Sequence, residues 1–217
     1  YTTSSDLVPG PQRHFLINRY GVAFEKMRAS DLVLIDLQGK VVDGQRGGHV
    51  NAAGFIIHSA IHEARPDLHC IIHTHTAAGM AVAAQRDGLL PLTQHALKFY
   101  GNLAYHTYEG IALSMQERER LVADLGSHKA MILRNHGLLA AGGSVAAAFH
   151  EIYFLERACQ AQIQAMSAGV ALNIPDEAVC RHTAAQFGRD GIDGIIDLAW
   201  QAALSLIDEQ QIGRAHV

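Results

Sequence analysis

Two histidines separated by one residue stand at the end of an apolar run in this chain. The run is Ile71-Ile72-His73-Thr74-His75-Thr76, and its first residues are typical of a buried strand. Because side chains alternate between faces along a strand, His73 and His75 point the same way, about 6 to 7 Å apart along the backbone. Two imidazoles at that spacing can bind one metal ion, although they could equally be hydrogen-bonded core residues.

A catalytic zinc site usually has three protein ligands and one open position, so a third ligand is needed. His136 is the best candidate, because it follows a second apolar run that begins at Met131 and precedes Gly137. Both sites stand at strand ends, which is where open α/β sheets place their ligands. The sequence predicts one divalent metal bound by the three histidines. Zinc is the expected ion, with manganese or cobalt as alternatives if a carboxylate joins the site.

The elements that must position these histidines alternate between strands and helices. Besides the strands at His73 and before His136, the patterns predict strands at 14–18, 31–36 and 105–110. Helices are expected at 52–65, 77–85, 115–125 and 144–168, with two more between a break at 172–175 and about 209. The polar opening 1–11 and the glycine-rich stretch 44–48 are predicted as loops. This alternation indicates an α/β layered domain with a mixed or antiparallel sheet.

Composition limits the classes of partner. A chain of 217 residues can form one domain with a substantial core, and 49% hydrophobic with 18% charged residues is an ordinary globular balance. A net charge of -4 gives no support to binding of nucleic acid or acidic membranes. The three cysteines have no short spacing, which disfavours a disulfide framework and indicates a reducing, cytoplasmic setting. No apolar run is long enough for a membrane span, so we expect a soluble protein.

Several motifs in order resemble one family. Arg65-Pro66-Asp67 leads into Ile72-His73-Thr74-His75-Thr76, and Leu133-Arg134-Asn135-His136-Gly137-Leu138-Leu139 follows. Together with the stretches at 15–18 and 155–159, they resemble the class II aldolase/adducin family over nearly the whole chain. The resemblance implies one three-layer αβα domain over 1–217, with a central mixed, largely antiparallel sheet flanked by helices. It also implies that the family's amino-terminal helix is missing, and that the protein forms a homotetramer with active sites at subunit interfaces.

The resemblance also implies a chemistry. In the family's aldolases the metal binds the carbonyl and hydroxyl oxygens of a keto sugar phosphate and stabilises the enediolate formed when a carbon-carbon bond breaks. His73, His75 and His136 match the family's metal histidines. The family's proton-transferring glutamate falls at Gly54, and the two serines before it fall at Ala52 and Ala53. The usual base and much of the phosphate site are therefore replaced.

Other residues could take over these roles. His58 lies one turn from Gly54 on the same helix face and could act as the base or as a fourth ligand. Its alternative role is a core histidine packed against the sheet. Glu109 is the acidic candidate, from across the cavity or from a neighbouring subunit, unless it is a simple turn carboxylate. For substrate binding, Gly21 matches the family pattern, and Asn51 starts a helix whose free N–H groups could hold a carboxylate or enolate oxygen.

Three functions remain open from the sequence. The first is a metal-dependent, aldolase-like lyase that cleaves or decarboxylates a small hydroxy-keto compound, with the intact histidine triad as its basis. The second is a non-catalytic binding or assembly module like the adducin heads, favoured by the replaced glutamate. The third is a metal-dependent isomerase or epimerase, which uses the same enediolate chemistry without breaking the carbon-carbon bond.

Overall fold

One seven-stranded sheet organises the protein. The computed structural model describes residues 2–42, 48–111, 115–189 and 191–210. The strands are β1 (Thr2–Leu7), β2 (Phe15–Asn18), β3 (Leu32–Ile35), β4 (Cys70–Thr74), β5 (Ala104–His106), β6 (Ala130–Leu133) and β7 (Gly137–Gly142). Their order across the sheet is β3-β2-β1-β4-β7-β6-β5. Only the β5–β6 pair is parallel among these neighbours, which confirms the mixed, largely antiparallel sheet.

Helices cover both faces of the sheet. They are α1 (Ala52–Ala64), α2 (Ala77–Ala83), α3 (Gln94–Leu97), α4 (Met115–Leu125), α5 (Val145–Ser167), α6 (Glu177–Phe187) and α7 (Ile192–Gln210). On one face, α1 and α4 pack through Ile57, Ile61 and Leu121 against strand residues such as Ile71 and Met131. This arrangement confirms the α/β layers expected from the sequence, and we refer to this side as the α1/α4 face.

The opposite face is covered by α2 and α5. Val82 of α2 and Leu155 of α5 pack there with Ile132, Leu138 and other residues of β6 and β7. The helices α6 and α7 lie outside this layer, with α7 in contact with α5. None of the helices among the described residues is both long and apolar enough to span a membrane.

The prediction of a loop over residues 1–11 is wrong for residues 2–7, because these form β1, an interior strand of the sheet. It pairs with β2 on one side and β4 on the other, with Ser5 opposite both Ile17 and Ile71. Its buried side chains include the hydroxyls of Thr3 and Ser5 instead of apolar groups. A short polar run with buried hydroxyls resembles a loop in sequence, and only the partners on α1 reveal why the hydroxyls are buried.

The second correction concerns the chain after His136, where no strand was expected. Residues Gly137–Gly142 form β7, which is buried along its whole length between β4 and β6. Of two other predicted elements, one has different ends in the structure and the other lies mostly outside the described residues. The strand predicted at 105–110 is the shorter β5, ending at His106. The loop predicted at 44–48 lies, except for Gly48, outside the described residues.

The predicted helices are confirmed with small shifts at their ends. Helix α1 begins after Asn51, whose side-chain oxygen accepts a hydrogen bond from the backbone N–H of Ala53 at 3.1 Å. Such a cap satisfies one of the free N–H groups at a helix start. The cap therefore fixes the position at which α1 begins over the sheet.

Candidate metal centre and adjoining cavity

The histidine triad consists of His73, His75 and His136, which lie at the end of β4 and in the turn between β6 and β7. Strand β4 carries His73 on the α1/α4 face, in phase with buried Ile71, and His75 comes directly after the strand ends. His136 lies in the tight turn between β6 and β7. In that turn Asn135 has a left-handed backbone with φ of 55°, and the His136 N–H donates to the Leu133 carbonyl at 3.0 Å. The turn directs the chain back beside β4.

A glycine makes the close approach of these segments possible. A Cβ atom at Gly137 would lie 2.3 Å from the carbonyl oxygen of Thr74, a separation that real side chains do not tolerate. The absence of a side chain at Gly137 lets β7 pass against the end of β4, with Leu138 opposite Thr74. His136 is thereby held next to His75.

The ligand atoms of the triad converge. One ring nitrogen from each histidine lies within 4.8 Å of those of the other two, and the Nε2 atoms of His73 and His75 are 2.8 Å apart. The ring centroids are 4.6 to 4.8 Å apart in near-perpendicular orientations. His73 is buried, and the other two are half-buried, so the cluster faces partly outward.

Hydrogen bonding and burial keep the ring nitrogens available. The Nδ1–H of His73 donates to the Leu138 carbonyl at 2.8 Å, which leaves the lone pair on Nε2, the nitrogen that faces the other rings. Burial, and then the neighbouring histidines, lower the pKa of His73 to about 3 and that of His136 to about 4. Burial also lowers the pKa of His75. Neutral imidazoles are the form that binds metal ions, so the donor set fits a divalent cation.

Residues outside the triad hold the end of β4 in place. Thr76 caps α2 by accepting a hydrogen bond from the Gly79 N–H at 3.2 Å, and its hydroxyl also donates to the carboxylate of Glu156. Glu156 is fixed in turn by the side chain of Gln160 at 2.8 Å. Outer contacts of this kind orient metal ligands, here by anchoring the residue next to His75.

A cavity of about 420 Å³ has Thr3, the cross-strand neighbour of His73, in its wall and brings together the two residues predicted to bind substrate. Gly21 and Asn51 line this cavity, together with Thr3, Asn18, Arg19, Tyr20 and neighbouring residues of the 22–25 segment. Thr3 stands directly opposite His73 in the β1–β4 pair. Cross-strand neighbours on one face have Cβ atoms about 5 Å apart, so Thr3 connects the cavity wall with the triad.

Comparison with known proteins identifies the family. Residues 3–163 match the family described as Class II Aldolase and Adducin N-terminal domain. The chain belongs to the class II aldolase/adducin family. A curated Caulobacter vibrioides protein of the aldolase class 2 type is 47% identical over 99% of this chain and 83% of its own length. Alpha-adducin of Rattus norvegicus is 44% identical over 77% of this chain, but that match covers 23% of the adducin.

Solved structures of the class II aldolase/adducin family share the fold. An aldolase II superfamily protein from Pseudomonas syringae is 49% identical, with a TM-score of 0.92 over 97% of this chain and 84% of that one. An L-fuculose 1-phosphate aldolase from Glaciozyma antarctica PI12 is 30% identical, with a TM-score of 0.82 over 99% of this chain and 83% of that one.

His58, predicted as a base or fourth ligand, belongs to a second cluster with Ser5 and His62. The Ser5 hydroxyl lies 2.6 Å from Nδ1 of His58 and 2.7 Å from Nε2 of His62, so it can donate to one ring and accept from the other. His58 is 0% exposed, and its Nε2 makes no hydrogen bond with a described residue. Burial, then the charges that His62 and His73 would carry, hold the pKa of His58 well below its usual range.

There is little space for a side chain at Gly54, the position that the resemblance assigns to the family's glutamate. A Cβ atom at Gly54 would lie 3.1 Å from the methyl carbon of Thr3 and 3.2 Å from its hydroxyl oxygen. A larger side chain there therefore requires Thr3 to move. Thr3 and Gly54 fit each other, and this pairing leaves α1 close to β1.

Glu109, the other predicted base, lies with His136 on the wall of a small cavity. Its carboxylate is paired with the guanidinium of Arg120 through two hydrogen bonds. That hydrogen bonding is the main reason why the pKa of Glu109 is lowered. Both carboxylate oxygens are therefore engaged by Arg120, and this pairing does not favour the role predicted for Glu109.

Sequence reasoning missed one group of residues on the same wall. His106 at the end of β5 is buried, and its Nδ1 lies 2.7 Å from the Asp124 carboxylate of α4. Its Nε2 lies 3.6 Å from the Glu117 carboxylate. The separations of 18 and 11 residues follow no local pattern. The sequence offered one sign of this group, which is that the charged Glu117 lies on the face of α4 that packs against the sheet.

Proposed function

We propose that this protein is a metal-dependent, aldolase-like lyase acting on a small hydroxy-keto compound. The observation that carries the proposal is the convergence of three neutral imidazoles beside a cavity. A divalent cation held by His73, His75 and His136 supplies Lewis-acid chemistry, stabilising negative charge that develops on the oxygens of a hydroxy-ketone. Zinc is the ion that we propose first, because three histidines with an open position suit it.

The chain's own residues supply binding and proton transfer. Asn51 and the start of α1 orient a carboxylate or enolate oxygen in the 420 Å³ cavity, and Gly21 lines the same cavity without a side chain. His58 is the proposed base, in the tautomer in which its Nδ1–H donates to the Ser5 hydroxyl and its Nε2 carries the lone pair that accepts a proton. The replaced serines and glutamate, at Ala52, Ala53 and Gly54, support a substrate that need not carry phosphate.

Proton exchange provides a test that needs no knowledge of the natural substrate. When a base removes a proton from the carbon beside a carbonyl, the C–H electron pair moves into the carbonyl group. In D2O a deuteron then returns to that carbon. Metal-loaded protein is incubated with hydroxyacetone, dihydroxyacetone and larger hydroxy-ketones, with and without phosphate. Deuterium incorporation and products are followed by NMR, and the control is the His73→Ala, His75→Ala double variant.

The products separate the candidate functions. Fragments of the larger ketones indicate a lyase, whereas interconverted isomers indicate an isomerase or epimerase. If metal-loaded protein exchanges no deuterium with any ketone, the proposal of an enzyme is wrong. An adducin-like binding module would then be the better account, and the 44% identity to alpha-adducin is the observation that favours it.

We also propose a homotetramer in the cytoplasm. The apolar side chains of Ile195, Leu198 and Leu206 on α7 are exposed in the single chain, which supports burial between subunits. Cys70, Cys159 and Cys180 are buried free thiols, which supports a reducing compartment. Light scattering after size-exclusion chromatography tests the assembly, and a monomer at micromolar concentration would contradict it. Detection of the protein in fractionated cells tests the location.

A further inference from the structure

The strongest unassigned feature is a carboxylate-bound histidine on the far wall of the cavity that His136 lines. His106 closes the end of β5 on the α1/α4 face, in phase with buried Ala104. Asp124 holds its Nδ1 at 2.7 Å. A carboxylate at one ring nitrogen fixes the proton there and leaves the other nitrogen as the acceptor.

The other ring nitrogen of His106, Nε2, is buried and accepts no hydrogen bond from a described residue. Nε2 of His106 makes no hydrogen bond with a described residue, and the nearest charged atom is a carboxylate oxygen of Glu117 at 3.6 Å. The Glu117 side chain is 9% exposed, and a buried carboxylate next to an acceptor nitrogen is unfavourable unless a proton lies between them. The pair is therefore arranged to accept a proton at Nε2.

The surroundings connect this proton position with the triad on one side and with solvent on the other. His106 and Glu117 line a cavity of about 10 Å³ together with His136, Glu109 and Arg134. Roughly 10 to 15 Å³ is the volume that one water molecule needs. On the other side of the ring, the Asp124 side chain is 43% exposed. The charged groups that line this cavity with His106 are the carboxylates of Glu117 and Glu109 and the guanidinium of Arg134, while α1 contributes the apolar Ile57.

We propose that His106, held by Asp124, is a positioning residue that exchanges protons between the metal centre and solvent during the proposed lyase reaction. The base His58 takes the proton from the substrate carbon, and from the metal centre the proton crosses the small cavity to Nε2 of His106. The imidazolium that results lies between the carboxylates of Asp124 and Glu117, and the proton then leaves to solvent. The reverse transfer returns a solvent proton to the same carbon, so no oxidant or other reactant is needed.

This inference rests on the proposed function, and matched variants separate the two. His106→Asn keeps a donor near the position of Nδ1 for Asp124 and removes Nε2, while Asp124→Asn alters a partly exposed group and should fold normally. His150→Asn is the control, because His150 is also buried with a ring nitrogen that lacks a hydrogen-bond partner among described residues, but belongs to α5 on the opposite face. All variants are compared in the deuterium-exchange assay and in metal content.

A general acid–base group contributes about 100-fold or more to rate. We expect His106→Asn to lower kcat for exchange by about 100-fold, with KM and metal content unchanged, and to remove one limb of the pH profile. Asp124→Asn should lower kcat less, and His150→Asn should leave it unchanged. Equal losses in the His106 and His150 variants, or a loss of metal with the loss of rate, would overturn the inference.

A second readout does not require turnover. Nitrogen-15 NMR of the imidazoles in the metal-loaded protein reports which ring nitrogen carries the proton. The proposal predicts a proton on Nδ1 of His106 and a lone pair on Nε2 that protonates reversibly; a permanent proton on Nε2 with a bare Nδ1 would overturn it. If the unaltered protein binds metal but exchanges no deuterium, the proposed function fails and this inference fails with it. If that protein exchanges deuterium and His106→Asn does so equally well, this inference alone fails.

Discussion

Two histidine clusters on the same face of one sheet each contain buried histidines but arrange their hydrogen-bonding groups differently. In the triad, three ring nitrogens face one another, and His73 is fixed by a backbone carbonyl at its outer nitrogen. In the second cluster, the Ser5 hydroxyl stands between His58 and His62 and satisfies a nitrogen of each. Burial lowers the pKa of histidines in both.

This difference shows what separates a ligand set from a core network. A protein hydroxyl already lies between the rings in the Ser5 cluster, so His58 and His62 do not share a metal ion there. In the triad no side chain of another described residue stands between the three nitrogens, and the Nε2 atoms of His73 and His75, 2.8 Å apart, need a proton or a cation between them. Burial and a lowered pKa alone would not have distinguished the two.

The largest expected effect is on metal affinity. His73→Ala removes a buried ligand. Loss of a residue that only hydrogen-bonds to a ligand costs about 10- to 100-fold in metal affinity, so we expect loss of the ligand itself to lower metal affinity by more than about 100-fold. His62→Gln, a matched change in the Ser5 cluster, should leave affinity unchanged. Titration against a competing chelator measures both variants. Similar affinities for the two variants would break the distinction between the clusters.

The second effect is on stability, and it should be confined to the Ser5 cluster. Ser5→Ala leaves two buried imidazoles without their shared partner, and each lost buried hydrogen bond costs about 1 to 3 kcal/mol. We expect the free energy of unfolding to fall by about 2 to 4 kcal/mol in urea, with metal binding retained. Ser4→Ala changes a neighbouring, half-buried position of β1 and is the control. A loss of metal together with stability in Ser5→Ala would contradict separate roles.

The pH dependence of stability gives a third test. Burial lowers the pKa of His62 to about 4, whereas the unfolded chain protonates near 6.5. The unfolded state therefore binds more protons in this window, so stability is fully present above pH 6.5 and is lost as pH falls towards 4. For His62 the loss is up to about 3 kcal/mol. Denaturation with chelator present should show a shallower acid slope in His62→Leu than in the unaltered protein; equal slopes would contradict the assignment.

The smallest effect concerns the contact between Gly54 and Thr3, next to both clusters. Alanine is a better helix former than glycine by about 1 kcal/mol, but its Cβ would lie 3.1 Å from the Thr3 methyl carbon. We expect Gly54→Ala to be nearly neutral alone and to stabilise by about 1 kcal/mol in a Thr3→Ala background, which lacks both the methyl carbon and the hydroxyl oxygen of Thr3. A double-mutant cycle of unfolding free energies measures this coupling. Additive effects would show that Thr3 does not restrict position 54.

The spacing of residues in the sequence was sufficient to predict one of the two clusters, the histidine triad. His73 and His75 share a strand face by simple alternation, and the Asn135-His136-Gly137 turn marked the third histidine. The resemblance to the family then fixed the fold class, which the seven-stranded sheet confirms.

The rest depended on contacts between distant segments. Ser5 is 53 residues from His58 and lies in a polar run that was predicted as a loop, since no local pattern signals a hydroxyl buried between two imidazoles. Strand β7 was missed because its Gly and Ala content is atypical of strands, although burial between two neighbours stabilises it. The pairing of Glu109 with Arg120 likewise joins a loop to a helix face and follows no short spacing.

The central claim is that His73, His75 and His136 bind a metal, and metal content tests it most directly. The purified protein and the His73→Ala, His75→Ala double variant are analysed by inductively coupled plasma mass spectrometry, with circular dichroism to confirm folding. We predict about one divalent transition metal per chain in the unaltered protein and none in the variant. No metal in either protein, with both folded and neither binding added zinc, would contradict the account and favour a binding module.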